Sequence, residues 1–380
     1  MKKLVNSIIQ KYKPWTLASY IGRLPFMTDL FQYIYYHYFS EPKSVKIHIN
    51  SDCNYNCVYC YSSSKQKVLP TEKWLEFIDE LKHYNIQTIE ISGGEPFLHK
   101  DFIKILKRCI KDNYQITIYT NGSLINSKWV KKIKALNGKI IISIKYDCPE
   151  TYGRNIKNKI RLKTIDKNIK LLTQNNIPVV AFITVTKNSV KYIKDTINRS
   201  IDIGAFPVVE RYAPVKDDKI NDKLMINSKD WSYVIKLIKK VYSNYSSVID
   251  GVNRIQGSTC SCYTTQFSVM QNGDVLPCQF LPVSQSIGNI KKMGIEDIWQ
   301  RIEKKRKKWL KLPKECKSCK NKLLCSGGCR TYSFYIHQNF SRKDPLCESN
   351  WPTTYGHCAF TVIHALNARN FNNSRLIRLK

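Results

Sequence analysis

The chain has 380 residues, enough to bury one large core or two ordinary ones without help from metal. Its 62 Lys and Arg against 29 Asp and Glu give a formal net charge of +33, which by itself names no partner: lysines scatter along the chain and only short runs such as Lys304–Lys308 stand out. Fourteen cysteines would suit a disulfide scaffold in a small secreted protein, but the opening MKKLVNSIIQKYK lacks a signal peptide's apolar run and cleavage site. A reducing, cytoplasmic compartment is expected, and with no uncharged apolar run of about 18 residues, no membrane-spanning helix.

Residues 1–44 read as an N-terminal helical extension, crowded with aromatics from Trp15 to Phe39 and closed by Pro42. Packing on the outside of the next domain is the preferred role, with weak contact to a membrane surface as the alternative. Apolar runs at Val45–Ile49, Thr88–Ile91, Ile116–Tyr119, Lys139–Ile144, Val179–Val185 and Pro207–Val209 are separated by helix-length segments. In the first of these segments Trp74, Leu75, Ile78 and Leu81 recur at helical spacing after Pro70 and a plausible N-cap, Thr71. Six strand-helix units over residues 45–225 predict an α/β fold, a partial (β/α)6 TIM-like barrel with its chemistry at the carboxyl ends of the strands. A helical bridge follows over 226–258, then a cysteine-rich domain over 259–348 and a tail over 349–380. Within the cysteine-rich part, Phe267–Met270, Gln271-Asn272-Gly273-Asp274 and Val275–Leu276 predict a hairpin.

Directly after the first strand stand Cys53, Cys57 and Cys60, spaced CxxxCxxC. A 4Fe-4S cluster takes four thiolates, so three on one loop leave an iron open to a small molecule. Zinc, which usually wants a fourth Cys or His, and ordinary buried thiols explain the clustering less well. The second strand ends in Ser92-Gly93-Gly94-Glu95-Pro96, where glycine allows close backbone approach and Glu95 is an anionic acceptor.

The cysteine loop, its place after strand one, Tyr59 before its last cysteine and the GGEP segment together resemble the radical S-adenosylmethionine superfamily. The resemblance implies that the open iron binds the amino and carboxylate groups of S-adenosylmethionine, with Tyr59 against the adenine and Gly93, Gly94 and Glu95 near the methionyl amino group. Ser143 and Arg154 resemble positions that bind the cofactor's ribose and carboxylate, although Ser143-Ile144-Lys145-Tyr146 has lysine where many relatives have aspartate. Glu210 and Arg211, closing strand six, face cofactor or substrate or form a structural ion pair.

Near the C-terminal end Cys316, Cys319, Cys325, Cys329 and Cys347 form a spaced set, preceded by Cys260, Cys262 and Cys278. Paired CxxC knuckles alone would also suit a zinc ribbon. Behind a radical-cluster motif they resemble the SPASM domain, which implies two auxiliary iron-sulfur clusters, of the 4Fe-4S kind: one on Cys316, Cys319, Cys325 and Cys347, the other on Cys278, Cys329 and one or both of Cys260 and Cys262. Cys109 reads as core, and Cys148 and Cys358 as passive. The expected function is hydrogen abstraction by a 5'-deoxyadenosyl radical that modifies a peptide or protein through a crosslink, thioether, epimerisation or side-chain oxidation. The alternative is a dehydrogenase or a tetrapyrrole- or small-molecule-modifying enzyme. Flavodoxin or ferredoxin as reductant and a separate leader-binding protein are expected partners; nucleic acid is not.

Overall fold

The computed structural model describes residues 41–61, 67–147, 156–216, 219–220, 222–243, 261–319, 322–347 and 378–379. The expected N-terminal helices, Arg154, Cys148, Cys260, Cys358, most of the tail and the end of the bridge lie outside the described residues.

Six parallel strands, β1 (Ser44–His48), β2 (Thr88–Ser92), β3 (Gln115–Thr120), β4 (Ile140–Lys145), β5 (Val179–Val185) and β6 (Phe206–Arg211), pair in chain order. Between them run α1 (Thr71–Leu81), α2 (Phe102–Lys111), α3 (Ser127–Ala135), α4 (Ile156–Gln174) and α5 (Ile193–Asp202). The strands are buried on both faces, which removes the alternation expected of half-exposed strands. One face carries Val45, Ile47, Ile89, Ile91, Ile116 and Ile118, and with the buried helix residues Trp74, Ile78, Ile105, Leu106 and Cys109 these belong to one continuous apolar core. Cys109 is a core residue, as the sequence implied. The other face is polar: Lys46, His48, Glu90, Thr117, Ser143 and Glu210 are all buried. Lys46 and Glu210 sit on the first and last of the six strands, yet each charge is felt by the other, so the sheet curls and this polar face lines its inside.

Helix starts follow local chemistry. Asn126 caps α3 by accepting from the Trp129 N–H at 3.1 Å, and Asn227 caps α6 (Ser228–Val241) by accepting from the Asp230 N–H at 2.8 Å. Thr71 is not the N-cap of α1; Pro70 holds that position, and the Thr71 hydroxyl donates to Asp101 at 2.7 Å. After β6 comes a small ribbon of β7 (Val215–Lys216) and β8 (Lys219–Ile220).

The expected hairpin forms as β9 (Gln266–Val269) and β10 (Asp274–Leu276), with Gly273 at φ +92°. It does not stand apart from the barrel. β9 pairs in parallel with β1, and β11 (Gly288–Asn289) extends β10, so one nine-stranded sheet runs β11-β10-β9-β1-β2-β3-β4-β5-β6. α7 (Ile295–Trp309), a short α8 (Lys322–Cys325) and α9 (Arg330–His337) complete the C-terminal part. Among the described residues no helix is long and apolar enough to cross a membrane.

Candidate active site

The two motif loops are built against each other. The Gly94 N–H donates to the Asn50 carbonyl at 2.9 Å and the Glu95 N–H to the Asp52 carbonyl at 2.6 Å. A methyl group on Gly94 would lie 2.1 Å from the Asp52 oxygen, and Gly93, at φ +137°, would place one 2.5 Å from the Asn50 oxygen. The glycines therefore serve first to seat the segment that enters the cysteine loop. Glu95 is fully buried, and its carboxylate accepts from Thr120 Oγ1 (2.7 Å), the Asn121 N–H (2.8 Å) and the Phe97 N–H (3.2 Å). Burial is the main influence and raises its pKa, against those three donors. The side chain thus ties the end of β2 to the end of β3, and its oxygens are taken by neighbouring strands.

Cys53 is exposed and Cys57 and Cys60 are partly so. Donors approach their sulfurs: the Tyr55 N–H reaches Cys53 Sγ at 3.4 Å, the Asn121 amide lies 4.0 Å from the same atom, and Arg161 Nη2 lies 3.9 Å from Cys57 Sγ. The Arg161 guanidinium also lies over the Tyr55 ring at 3.5 Å. Tyr59 donates its hydroxyl to Asp147, and Lys145 lies 4.8 Å above the Tyr59 ring and 3.5 Å from Asp147. The lysine standing where relatives carry aspartate is thus paired with an aspartate two residues on.

Tyr61 joins this loop to the C-terminal part. Its ring meets Phe280 edge-on at 4.8 Å and His48 at 6.0 Å, and burial, then Cys60, Glu210 and Cys278, push its pKa up, against a hydrogen bond with Ser92. The Tyr61–Phe280 contact therefore brings together the segments that follow Cys60 and Cys278, far apart in sequence. Ser143 Oγ, both His48 ring nitrogens and Glu210 Oε1 are buried without a hydrogen-bond partner. Burial, reinforced by Lys46, pulls His48 down to about 3, so the ring is neutral. Burial pushes Glu210 up to about 7, against the pull of Lys145, Lys46 and Arg211.

Arg211 is not Glu210's partner. It makes a bidentate pair with Asp344, Nη1–Oδ1 3.0 Å and Nη2–Oδ2 2.6 Å, with both side chains fully buried. The same carboxylate accepts from the Cys329 N–H at 2.8 Å and the Leu346 N–H at 2.9 Å.

In the C-terminal set, burial raises the Cys316 thiol first, then Cys325 and, more weakly, Cys319. Burial pushes Cys347 up to about 11, with Cys325, Asp344 and Cys316 adding to it. Cys316 and Cys347 thus resist ionising beside their neighbours, a penalty that cationic iron relieves. Ser326, Gly327 and Gly328 take φ of 48°, 89° and 82°, turning the chain between Cys325 and Cys329. Cys262 lies near Gln266 and Cys278 is buried after β10. Among the described residues no three His, Cys, Asp or Glu side chains gather to hold a metal ion; a cubane instead binds each thiolate to its own iron. The buried polar atoms without partners in the barrel and the neighbouring thiols outside it both suit the cofactor and clusters the motifs imply. Arg161, Asp344 and Arg330 escaped the sequence reading because basic and acidic residues carry no spacing signal.

The sequence matches the radical SAM superfamily over residues 47–199 and the iron-sulfur cluster-binding SPASM domain over residues 260–320. It is 24% identical to an AdoMet-dependent heme synthase of Methanosarcina barkeri, over 81% of this chain and 97% of that protein. A cysteine-type anaerobic sulfatase-maturating enzyme of Clostridium perfringens is 24% identical over 74% of this chain and 86% of its own length. The subtilosin biosynthesis protein AlbA of Bacillus subtilis is 26% identical over 69% and 60%. Among solved structures, anSMEcpe with bound AdoMet and the Cp18Cys peptide superposes with a TM-score of 0.68 at 21% identity, covering 87% of this chain and 100% of that one. Streptococcus suis SuiB bound to its precursor peptide SuiA gives 0.66 at 18%, covering 85% and 79%.

Proposed function

Because this chain is a radical SAM enzyme with a SPASM iron-sulfur domain, we propose that it abstracts a hydrogen atom from a peptide or protein and so modifies a side chain or its α-carbon. The observation that carries the placement of this chemistry is Tyr61, next to Cys60 in the chain, whose ring meets that of Phe280, two residues past Cys278, edge-on at 4.8 Å. Substrate beside it lies within reach of both cysteine sets. The peptide reading is supported by similarity to AlbA and to SuiB, the latter solved with a precursor peptide.

In this reading Cys53, Cys57 and Cys60 hold the first cluster, and the Tyr55 N–H, Asn121 and Arg161 steady its thiolates. Bound there, the cluster and S-adenosylmethionine supply one-electron cleavage to methionine and a 5'-deoxyadenosyl radical. The backbone of Gly93, Gly94 and Glu95 faces the methionyl amino group, since the Glu95 carboxylate is already engaged. By the resemblance Tyr59 would lie against the adenine, Ser143, whose Oγ has no hydrogen-bond partner, would offer its hydroxyl to the ribose, and Arg154 would take the carboxylate. Cys316, Cys319, Cys325 and Cys347 hold one further cluster; Cys278, Cys329 and one or both of Cys260 and Cys262 hold the other.

A second reading has its own support: the heme synthase is matched over 97% of its length, which favours a tetrapyrrole or another small molecule. The test is 5'-deoxyadenosine formation by the reduced, anaerobic protein with size-fractionated host extract, with and without protease. Stimulation abolished by protease is expected. Stimulation that survives protease and stays in the small-molecule fraction would replace the peptide reading with the second.

A further inference from the structure

Arg330, the first residue of α9, is 1% exposed. Among the described residues its guanidinium donates only to backbone carbonyls: Nη1 to Phe340 at 3.3 Å, Nη2 to Lys311 at 3.1 Å and to Ser326. Nε–H is buried and has no acceptor. Among the described residues no carboxylate pairs with it. Taking a guanidinium out of water costs several kcal/mol, which neutral carbonyls offset poorly. Something anionic has to lie beside it.

The candidates are thiols. Arg330 directly follows Cys329, and its Nη2 donates to the carbonyl of Ser326, the residue after Cys325, so the guanidinium sits at the turn that joins these two cysteines. The backbone makes room for this arrangement: a methyl group on Gly327 would lie 2.5 Å from Pro313 Cδ and 3.0 Å from Arg330 Nη1, at φ +89°. The left-handed turn between Cys325 and Cys329 therefore admits the guanidinium as well as joining two ligands.

We propose that Arg330 is the internal counter-ion of the cluster held by Cys316, Cys319, Cys325 and Cys347, and that its Nε–H donates to a sulfur of that cluster. This rests on the ligand set assigned above. A fixed positive charge and an N–H bond to sulfur both favour the more negative, reduced cluster and so raise its reduction potential. Arg330 acts as a positioning and tuning residue and touches no substrate.

The experiment uses the full chain with Cys53, Cys57 and Cys60 changed to alanine, so that bound iron reports only the C-terminal part. Iron and sulfide per chain and an EPR-monitored redox titration are compared for this parent, R330M and R330K. In R330M one cluster is expected to titrate at a lower potential, with R330K, which keeps the charge and loses the Nε–H, in between. Parent-like potentials in R330M and R330K overturn the proposal. If circular dichroism shows R330M unfolded, R330K decides alone: a shifted potential supports the Nε–H bond and an unshifted one overturns it. C325A in the same background separates the two levels. Unchanged iron in C325A breaks the ligand set and the proposal with it; lost iron beside unmoved Arg330 potentials sinks the proposal only.

Discussion

Glu210 and Arg211 are neighbours on β6, and alternation sends them to opposite fates. Arg211 turns to Asp344, while Glu210 turns into the barrel toward Lys145 on β4, Lys46 on β1 and Glu90 on β2. Burial outweighs the two lysines and lifts Glu210 to about 7 from the ordinary 4.5. Between those values the native state keeps a proton that the unfolded chain releases, so stability falls as pH rises from about 4.5 to about 7. E210Q cannot titrate. The wild-type urea midpoint should therefore drop relative to that of E210Q between pH 5 and pH 8. His48, pulled down to about 3, gives the opposite trend below its ordinary value, but equally in both proteins. Parallel midpoints would mean that Glu210 is already ionised in the fold. The sequence marked Glu210 and Arg211 as facing cofactor or substrate or forming a structural ion pair; alternation on a strand points the two apart, but Arg211's partner Asp344 lies 133 residues on and carries no local signal. Arg330 was hidden differently: among 62 basic residues nothing distinguishes a cation that is buried.

Elements were legible where an apolar run is long. β5 is found at the residues its run predicts, whereas β6 runs Phe206–Arg211 although only Pro207–Val209 read as strand, because its inward residue Glu210 is charged. The parallel pairing of β9 with β1 had no local signal, since residues 44–48 and 266–269 meet only in the folded chain. The contact between the two motif loops was half legible. Both glycines were recognised as sites of close approach, but the approaching group is the backbone of Asn50 and Asp52. G94A tests this. Its methyl group would meet the Asp52 oxygen at 2.1 Å, which displaces the cysteine loop. A shift near 1 Å costs roughly a hundredfold in rate. We expect 5'-deoxyadenosine formation to fall on that order and S-adenosylmethionine binding, measured by equilibrium dialysis, to weaken, with the melting temperature little changed. Wild-type binding in G94A would show that the two loops are not coupled.

Across the molecule, barrel and cysteine-rich part share one sheet through β9 and one buried ion pair through Arg211 and Asp344. The pair reaches from the end of β6 to the Cys329 N–H, and Asp344 lies three residues before Cys347, whose own N–H donates to the Asp344 carbonyl at 3.0 Å. One residue, through its carboxylate at Cys329 and its main-chain carbonyl at Cys347, thus helps to place thiols assigned to different clusters. A buried pair is poor evidence of net stability, because well-packed apolar residues often do as well. Breaking one side is another matter. D344A leaves the Arg211 charge buried without its carboxylate, against the Tyr332 ring at 4.0 Å, and should cost about 3–5 kcal/mol. R211M/D344L removes both charges and fills the space. Both variants lose the acceptors for the Cys329 and Leu346 N–H groups, so the difference between their urea midpoints isolates the stranded guanidinium. The double variant should be the more stable by several kcal/mol. If the two unfold together, the cost lies in the lost N–H acceptors, and the Asp344 carboxylate acts by holding the Cys329 and Leu346 N–H groups rather than by neutralising Arg211.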